Sequence, residues 1–165
     1  MDALEAIKSR RSVRKYLEKS IPVDILEDIV DCGRLAPSGH NQQTWVFVVV
    51  TDNQTRERIA GITKYGKFIK EAGACIAVFC KKDSATPLED ACAATENMII
   101  AAQAHGLGTC WVNSHRKEHS EQLKILLKCP EDMELMVLLA VGYPEAQPEP
   151  KQKKKLGEVL KWNKF

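Results

Sequence analysis

The run Leu135-Met-Val-Leu-Leu-Ala-Val141 contains no polar side chain. A stretch this apolar needs cover on both faces, yet it falls far short of the roughly 20 residues that span a bilayer. It reads as a strand buried within a sheet, and no segment of the chain is expected to cross a membrane. Trp45-Val-Phe-Val-Val-Val50 and Cys75 to Cys80 read as buried strands in the same way, and Thr109 to Asn113 is a further strand candidate. Leu88 to His105 carries the longest helical pattern, with Ala91, Ala94, Met98, Ile99 and Ala102 on adjoining faces. Apolar cover around most of its circumference makes it a central helix. Shorter helices are expected at three places. One is capped by Asp2 with Leu4, Ala6 and Ile7 inward, one runs from Pro22 through Ile29 to a stop at Gly33 and Pro37, and one carries Leu123, Leu126 and Leu127. Helices are interspersed among the strands through long excursions, as in a domain that packs helices on a sheet. A chain of 165 residues, 44% hydrophobic and 28% charged, holds one such domain, 1–165, and not two.

Met1 to Ile7 lacks the basic region, apolar stretch and cleavage site of a secretory signal, so a cytoplasmic location is expected. The six cysteines include no C-x-x-C pair and read as reduced, mostly buried thiols. A net charge of +2 gives no global reason to expect nucleic acid, although the positive charge gathers at the two ends. After Gly142-Tyr-Pro144 the chain changes character. Pro148, Pro150 and Lys151 to Lys155 suit an extended arm, which occupies residues 145–165. Leu156, Val159, Leu160, Trp162 and Phe165 then return as a group too hydrophobic for a free tail. They are expected to dock, either on this domain or on a second copy.

Four segments carry chemical content. Arg10-Arg-Ser-Val-Arg14 places three guanidiniums and a hydroxyl within five residues, a natural set for a phosphate ester, although a solvated basic loop has the same composition. Ala36-Pro-Ser-Gly-His-Asn-Gln-Gln-Thr-Trp45 is rich in side-chain amides suited to a heteroaromatic ring with imide groups, and equally in ordinary turn residues. Gly106-Leu-Gly-Thr-Cys-Trp-Val-Asn-Ser114 lacks the G-x-G-x-x-G dinucleotide spacing. Lys153-Lys-Lys155, taken alone, is a linker charge run. His115 and His119 stand four apart without a completing ligand set and read as surface residues, and Cys110 reads as a core thiol.

In this order the four segments resemble the nitroreductase family of FMN-dependent oxidoreductases, in a short single-domain form, over nearly the whole chain. Arg10 to Arg14 looks like the family's phosphate and flavin-ring motif, and Pro37-Ser-Gly-His-Asn-Gln42 looks like its P-S-x-x-N-x-Q loop. Thr44 departs from the proline that many relatives carry before the tryptophan. The resemblance implies Arg10, Arg11, Ser12, Lys153 and Lys155 around the FMN phosphate and Arg14 near the pyrimidine edge. It implies Pro37, Ser38 and Asn41 contributed by a partner subunit, and a backbone donor near flavin N5 at Asn113 or Ser114. It further implies an α+β domain with a central mixed or antiparallel sheet flanked by helices, an obligate homodimer with two FMN sites at the interface, the arm wrapping the partner, and residues 53–74 and 81–90 roofing the pocket. NADH or NADPH would be the electron donor and a nitroaromatic or quinone the acceptor, in a ping-pong reaction that needs no protein nucleophile. The same motifs leave room for dehalogenation, enoate reduction or flavin fragmentation, and for a flavin-storage protein without turnover. A nucleic-acid-binding module lacks a motif and aromatic content.

Overall fold

A computed structural model describes residues 1–165, and at its centre lies a four-stranded sheet in the order β1-β2-β4-β3. The strands span Trp45–Val50 (β1), Ala74–Lys81 (β2), Gly108–Asn113 (β3) and Met133–Gly142 (β4). Of the mixed and antiparallel alternatives the antiparallel sheet forms, and the one parallel pairing is an isolated bridge between Ser12 and Thr109. Because successive side chains of a strand point to opposite faces, β2 feeds two cores. Ile76, Val78 and Cys80 enter one, and Cys75, Ala77 and Phe79 enter the other. The β2–β4 register shifts between Val78 and Phe79, leaving Met136 as the extra residue of a bulge.

The first core lies under α2 (Val23–Arg34) and α4 (Pro87–Ala104). Ala91, Ala94 and Ala102 keep α4 slim where it meets the sheet and α2. α2 ends at Arg34, within the stop expected between Gly33 and Pro37, and Met98 packs on Gly33 so closely that a Cβ there would come within 2.7 Å of Met98 Cγ. The second core is closed by α3 (Asn53–Ile62), a 3-10 turn at Lys67–Glu71 and α5 (Ser120–Leu126), through the fully buried Ile59, Ile69 and Leu123. The buried Arg56 of α3 staples this layer together. Its Nη1 donates to the carbonyls of Lys70 (3.1 Å) and Ala72, and its Nη2 donates to Asn53 Oδ1.

Two expectations need correction. In α1 (Ala3–Ser9) Asp2 does cap the helix, accepting from Glu5 N–H at 2.8 Å, but Leu4 (65% exposed) and Ile7 face solvent and only Ala6 is buried. This short helix rests on α4 from the surface, where Gln103 Nε2 donates to Ser9 Oγ at 3.2 Å. β1 is an edge strand, with Val46 51% exposed, because nothing in the chain pairs its outer side. Of the two surfaces on which the apolar end of the arm was expected to dock, its own domain is not used: from the single-turn α6 (Leu156–Val159) onward these residues stay exposed, Trp162 at 78%. No helix is long and apolar enough to cross a membrane.

Candidate functional site

The basic segment forms a strap across one end of the sheet. Arg10 closes α1, its N–H donating to Ala6 O at 3.0 Å. The chain then runs past the start of β3 and the end of β4. Val13 N–H donates to Thr109 O at 2.8 Å, Leu17 N–H to Tyr143 O at 2.9 Å, and Glu145 N–H to Lys15 O at 3.1 Å. Val13 and Tyr16 point into the second core, which leaves Ser12 and Arg14 facing outward. Tyr16 donates its hydroxyl to Val13 O at 2.6 Å, and burial pushes its phenol well above the usual range, so it stays neutral. Gly108 gives the strap its closeness to β3, since a Cβ there would lie 2.5 Å from Val13 Cγ2.

Arg10, Arg11, Ser12 and Arg14 line a cavity of about 500 Å³ together with Lys8, Lys151 and Lys153. The arm thus brings its lysines to the strap across a gap. The protein's ion pairs lie elsewhere, at Arg34–Asp31, His105–Asp28 and Lys124 with Glu121 and Glu134. The six cations around the cavity therefore face it without a paired carboxylate, although Glu149 also lines it. Such a concentration of one sign in a concave site attracts anions, and guanidiniums match a phosphate bidentately. Lys155 is not brought to this cavity, because the chain turns there into α6, with Lys155 N–H donating to Glu158 Oε2 at 2.6 Å. A smaller cavity of about 300 Å³ continues beside it between residues 12–15 and 145–148. Arg14 Cζ lies 5.8 Å from the ring centroid of Phe68, so the segment before β2 covers the second core and also reaches the strap.

The amide-rich loop lies at the other end of the strands. Trp45, which follows it, pairs with Cys80 near the end of β2, whereas the strap crosses where Ala74 begins β2 opposite Val141. At about 3.3 Å per residue the length of β2 alone separates the two by roughly 23 Å. A single chain does not bring Ser38 and Asn41 to Arg10. Pro37 and Asn41 are exposed and Ser38 is half-buried. His40, Asn41 and Gln43 all have left-handed backbones, with φ of 51°, 55° and 49°. Such conformations cost on the order of 1–3 kcal/mol each and persist only where surroundings impose them. Here Gly39 N–H donates to Asp90 Oδ1 (2.9 Å), Gln43 N–H to Ser38 Oγ (3.0 Å), and Ser84 Oγ to Gln42 Oε1 (3.4 Å). Residues of the 81–90 segment thus buttress this loop, a role that nothing in their sequence announced.

Asn113 and Ser114, expected as a pair, differ in exposure at the end of β3, where successive side chains point to opposite faces. Asn113 is exposed, its Oδ1 accepting from His115 N–H at 3.2 Å. Ser114 is fully buried, and its N–H is already committed to Met136 O at 3.1 Å. His119 Nε2 lies 3.1 Å from Ser114 Oγ, so His115 and His119 are half-buried parts of this turn and not surface residues. Burial, with Lys117 beside it, holds the His119 imidazole below its ordinary value. No group of three or more His, Cys, Asp or Glu is placed to hold a metal ion. The six cysteines are free, and burial pushes the Cys75 and Cys80 thiols up to about 12, which removes them as nucleophiles near neutral pH. The geometry offers anion binding and amide recognition, with no activated nucleophile.

The chain matches the model of the Nitroreductase family over residues 7–74 and 63–143. A protein from Methanothermobacter thermautotrophicus named "Putative NADH dehydrogenase/NAD(P)H nitroreductase" is 33% identical over 153 residues, covering 90% of this chain and 80% of that one. A crystal structure of the same name from Bacteroides thetaiotaomicron superposes with a TM-score of 0.93 at 30% identity, over 99% of this chain and 98% of the other. The FMN-dependent nitroreductase of Clostridium difficile R20291 superposes with a TM-score of 0.88 at 25% identity, over 98% and 99% of the two chains.

Proposed function

This chain belongs to the nitroreductase family, and from that premise we propose that it is an FMN-dependent oxidoreductase passing electrons from NADH or NADPH to nitroaromatic, quinone or similarly electron-poor acceptors. The observation that carries the reading is the cavity between strap and arm, ringed by Arg10, Arg11, Arg14 and Lys153 without paired carboxylates. A phosphate monoester fits that donor set in charge and in hydrogen-bonding type. Arg10, Arg11, Ser12 and Lys153 would hold the FMN phosphate. The chemistry supplied by bound FMN is two-electron transfer between a reduced nicotinamide and an oxidising acceptor. Arg14, standing over Phe68, would place a positive charge beside the ring and favour its anionic reduced state. Asn113, exposed at the end of β3, would be the member of that pair free to meet the flavin ring, while Ser114 is buried with its N–H on Met136 O and its Oγ near His119.

The site is completed by a second copy. Strap and amide loop stand at opposite ends of the strands, so one subunit's Pro37, Ser38 and Asn41 would meet the other's Arg10 to Arg14. The exposed arm residues Leu156, Leu160, Trp162 and Phe165 support the same assembly. Burying such side chains contributes about 1.5–3 kcal/mol each.

The test is the visible absorption of the purified protein, followed by NAD(P)H consumption with a nitroaromatic or quinone present. Flavin bands and acceptor-dependent turnover are expected. FMN held without turnover would favour a flavin carrier, and turnover confined to halogenated or enoate acceptors would favour one of the family's other reactions.

A further inference from the structure

Asp90 stands in the first part of α4, 51 residues from Gly39, and is only 3% exposed. Its Oδ1 accepts from Gly39 N–H at 2.9 Å and from Thr86 Oγ1 at 3.0 Å, while its Oδ2 is buried without a partner. None of the ion pairs includes it. A buried polar atom left without a partner is costly to keep. What it holds is a loop whose consecutive residues His40 and Asn41 are left-handed, a backbone that free non-glycine residues seldom keep. The approach is so close that a Cβ on Gly39 would lie 2.1 Å from Thr86 Oγ1. Ser84, donating to Gln42 Oε1 at 3.4 Å, adds a third contact from the same segment.

We infer that Asp90 is a positioning residue: its carboxylate clamps the loop at Gly39 and so fixes the direction in which Ser38 and Asn41 are presented to the cofactor site. The inference rests on the FMN reading above. Asp90 touches neither donor nor acceptor and acts through the Gly39 amide. Thr86 shares the carboxylate oxygen and closes the clamp from the start of α4.

The test pairs amide hydrogen exchange at residues 39–43 of the full-length protein with FMN titration of the same samples. Asp90→Ala should speed exchange of the Gly39 amide at least about tenfold and raise the FMN dissociation constant about tenfold. Asp90→Asn keeps an acceptor oxygen in place and should stay within about threefold of the wild type on both measures. Gly39→Ala should lose both without altering Asp90, and it carries the test if Asp90→Ala does not fold. Unchanged exchange in the folded variants would overturn the clamp, as would an Asp90→Asn protein as impaired as Asp90→Ala. Faster exchange with unchanged FMN affinity would overturn its service to the site. A wild-type chain that takes up no FMN overturns the functional reading and the purpose assigned to the clamp, and the exchange data distinguish that failure from the absence of a clamp.

Discussion

A Cβ placed on Gly108 would lie 2.5 Å from Cγ2 of Val13, so the first residue of β3 is the floor on which the basic strap rests. The neighbouring hydrogen bond, Val13 N–H to Thr109 O at 2.8 Å, is reachable only at that closeness.

Gly108→Ala is therefore expected to destabilise the fold by about 1–3 kcal/mol, the usual cost of overpacking. Adding Val13→Ala should recover part of the loss, because the two residues are in direct contact and their effects do not add. Urea denaturation of the two single variants and the double variant measures the coupling. Simple additivity would show that strap and strand are not packed as described.

Arg10 and Arg14 face the same cavity but should fail differently. Arg10→Ala removes a charge-assisted contact to phosphate, worth about 1.5–3 kcal/mol, and should weaken FMN binding roughly tenfold or more with the apo fold intact. Arg14→Ala should retain FMN better but lower its reduction potential, since a cation beside the ring favours the anionic reduced form. Flavin titration and spectroelectrochemistry separate the two. A raised or unchanged potential in Arg14→Ala would contradict its role.

Much of the fold was legible because burial leaves periodic marks. The runs at Trp45–Val50 and Leu135–Val141 and the alanine-rich face of α4 fell where expected. The layer over the second core was not, because α3 buries only Arg56, Ile59 and Ala60, too few apolar residues to write a helical period, and its staple is a charged side chain. β1 misled in a more useful way. A valine run reads as buried whether its cover comes from its own chain or from another, and here its own chain leaves the outer edge bare. In the site, Arg10 to Arg14 and Lys153 announced themselves by clustered charge, and Lys8 and Lys151 belonged to the same basic stretches. Asp90 did not, because its role is set by a contact 51 residues away in sequence.

The turn after β3 should make stability depend on pH. His119 has its folded value held below the ordinary 6.5 by burial and Lys117, so the unfolded chain takes up its proton first as pH falls. Its contribution is fully present above about 6.5 and is lost as pH drops toward the lower folded value. Urea midpoints compared at about pH 8 and about pH 5.5 should fall more for the wild type than for His119→Asn. Equal falls would show that the imidazole near Ser114 is not kept neutral by the fold.

The central claim is that each FMN site takes its strap from one subunit and its amide loop from the other, and subunit complementation tests it most directly. A chain carrying Arg10→Ala and Lys153→Ala is unfolded and refolded together with a chain carrying Ser38→Ala and Asn41→Ala, and FMN uptake is compared with that of each variant alone. In a symmetric dimer with shared sites, a mixed pair contains one site built wholly from intact parts. The account predicts that mixing restores tight FMN binding which neither variant shows by itself. If the mixture binds no more FMN than the separate variants, each site lies within a single chain and the shared-site account is wrong.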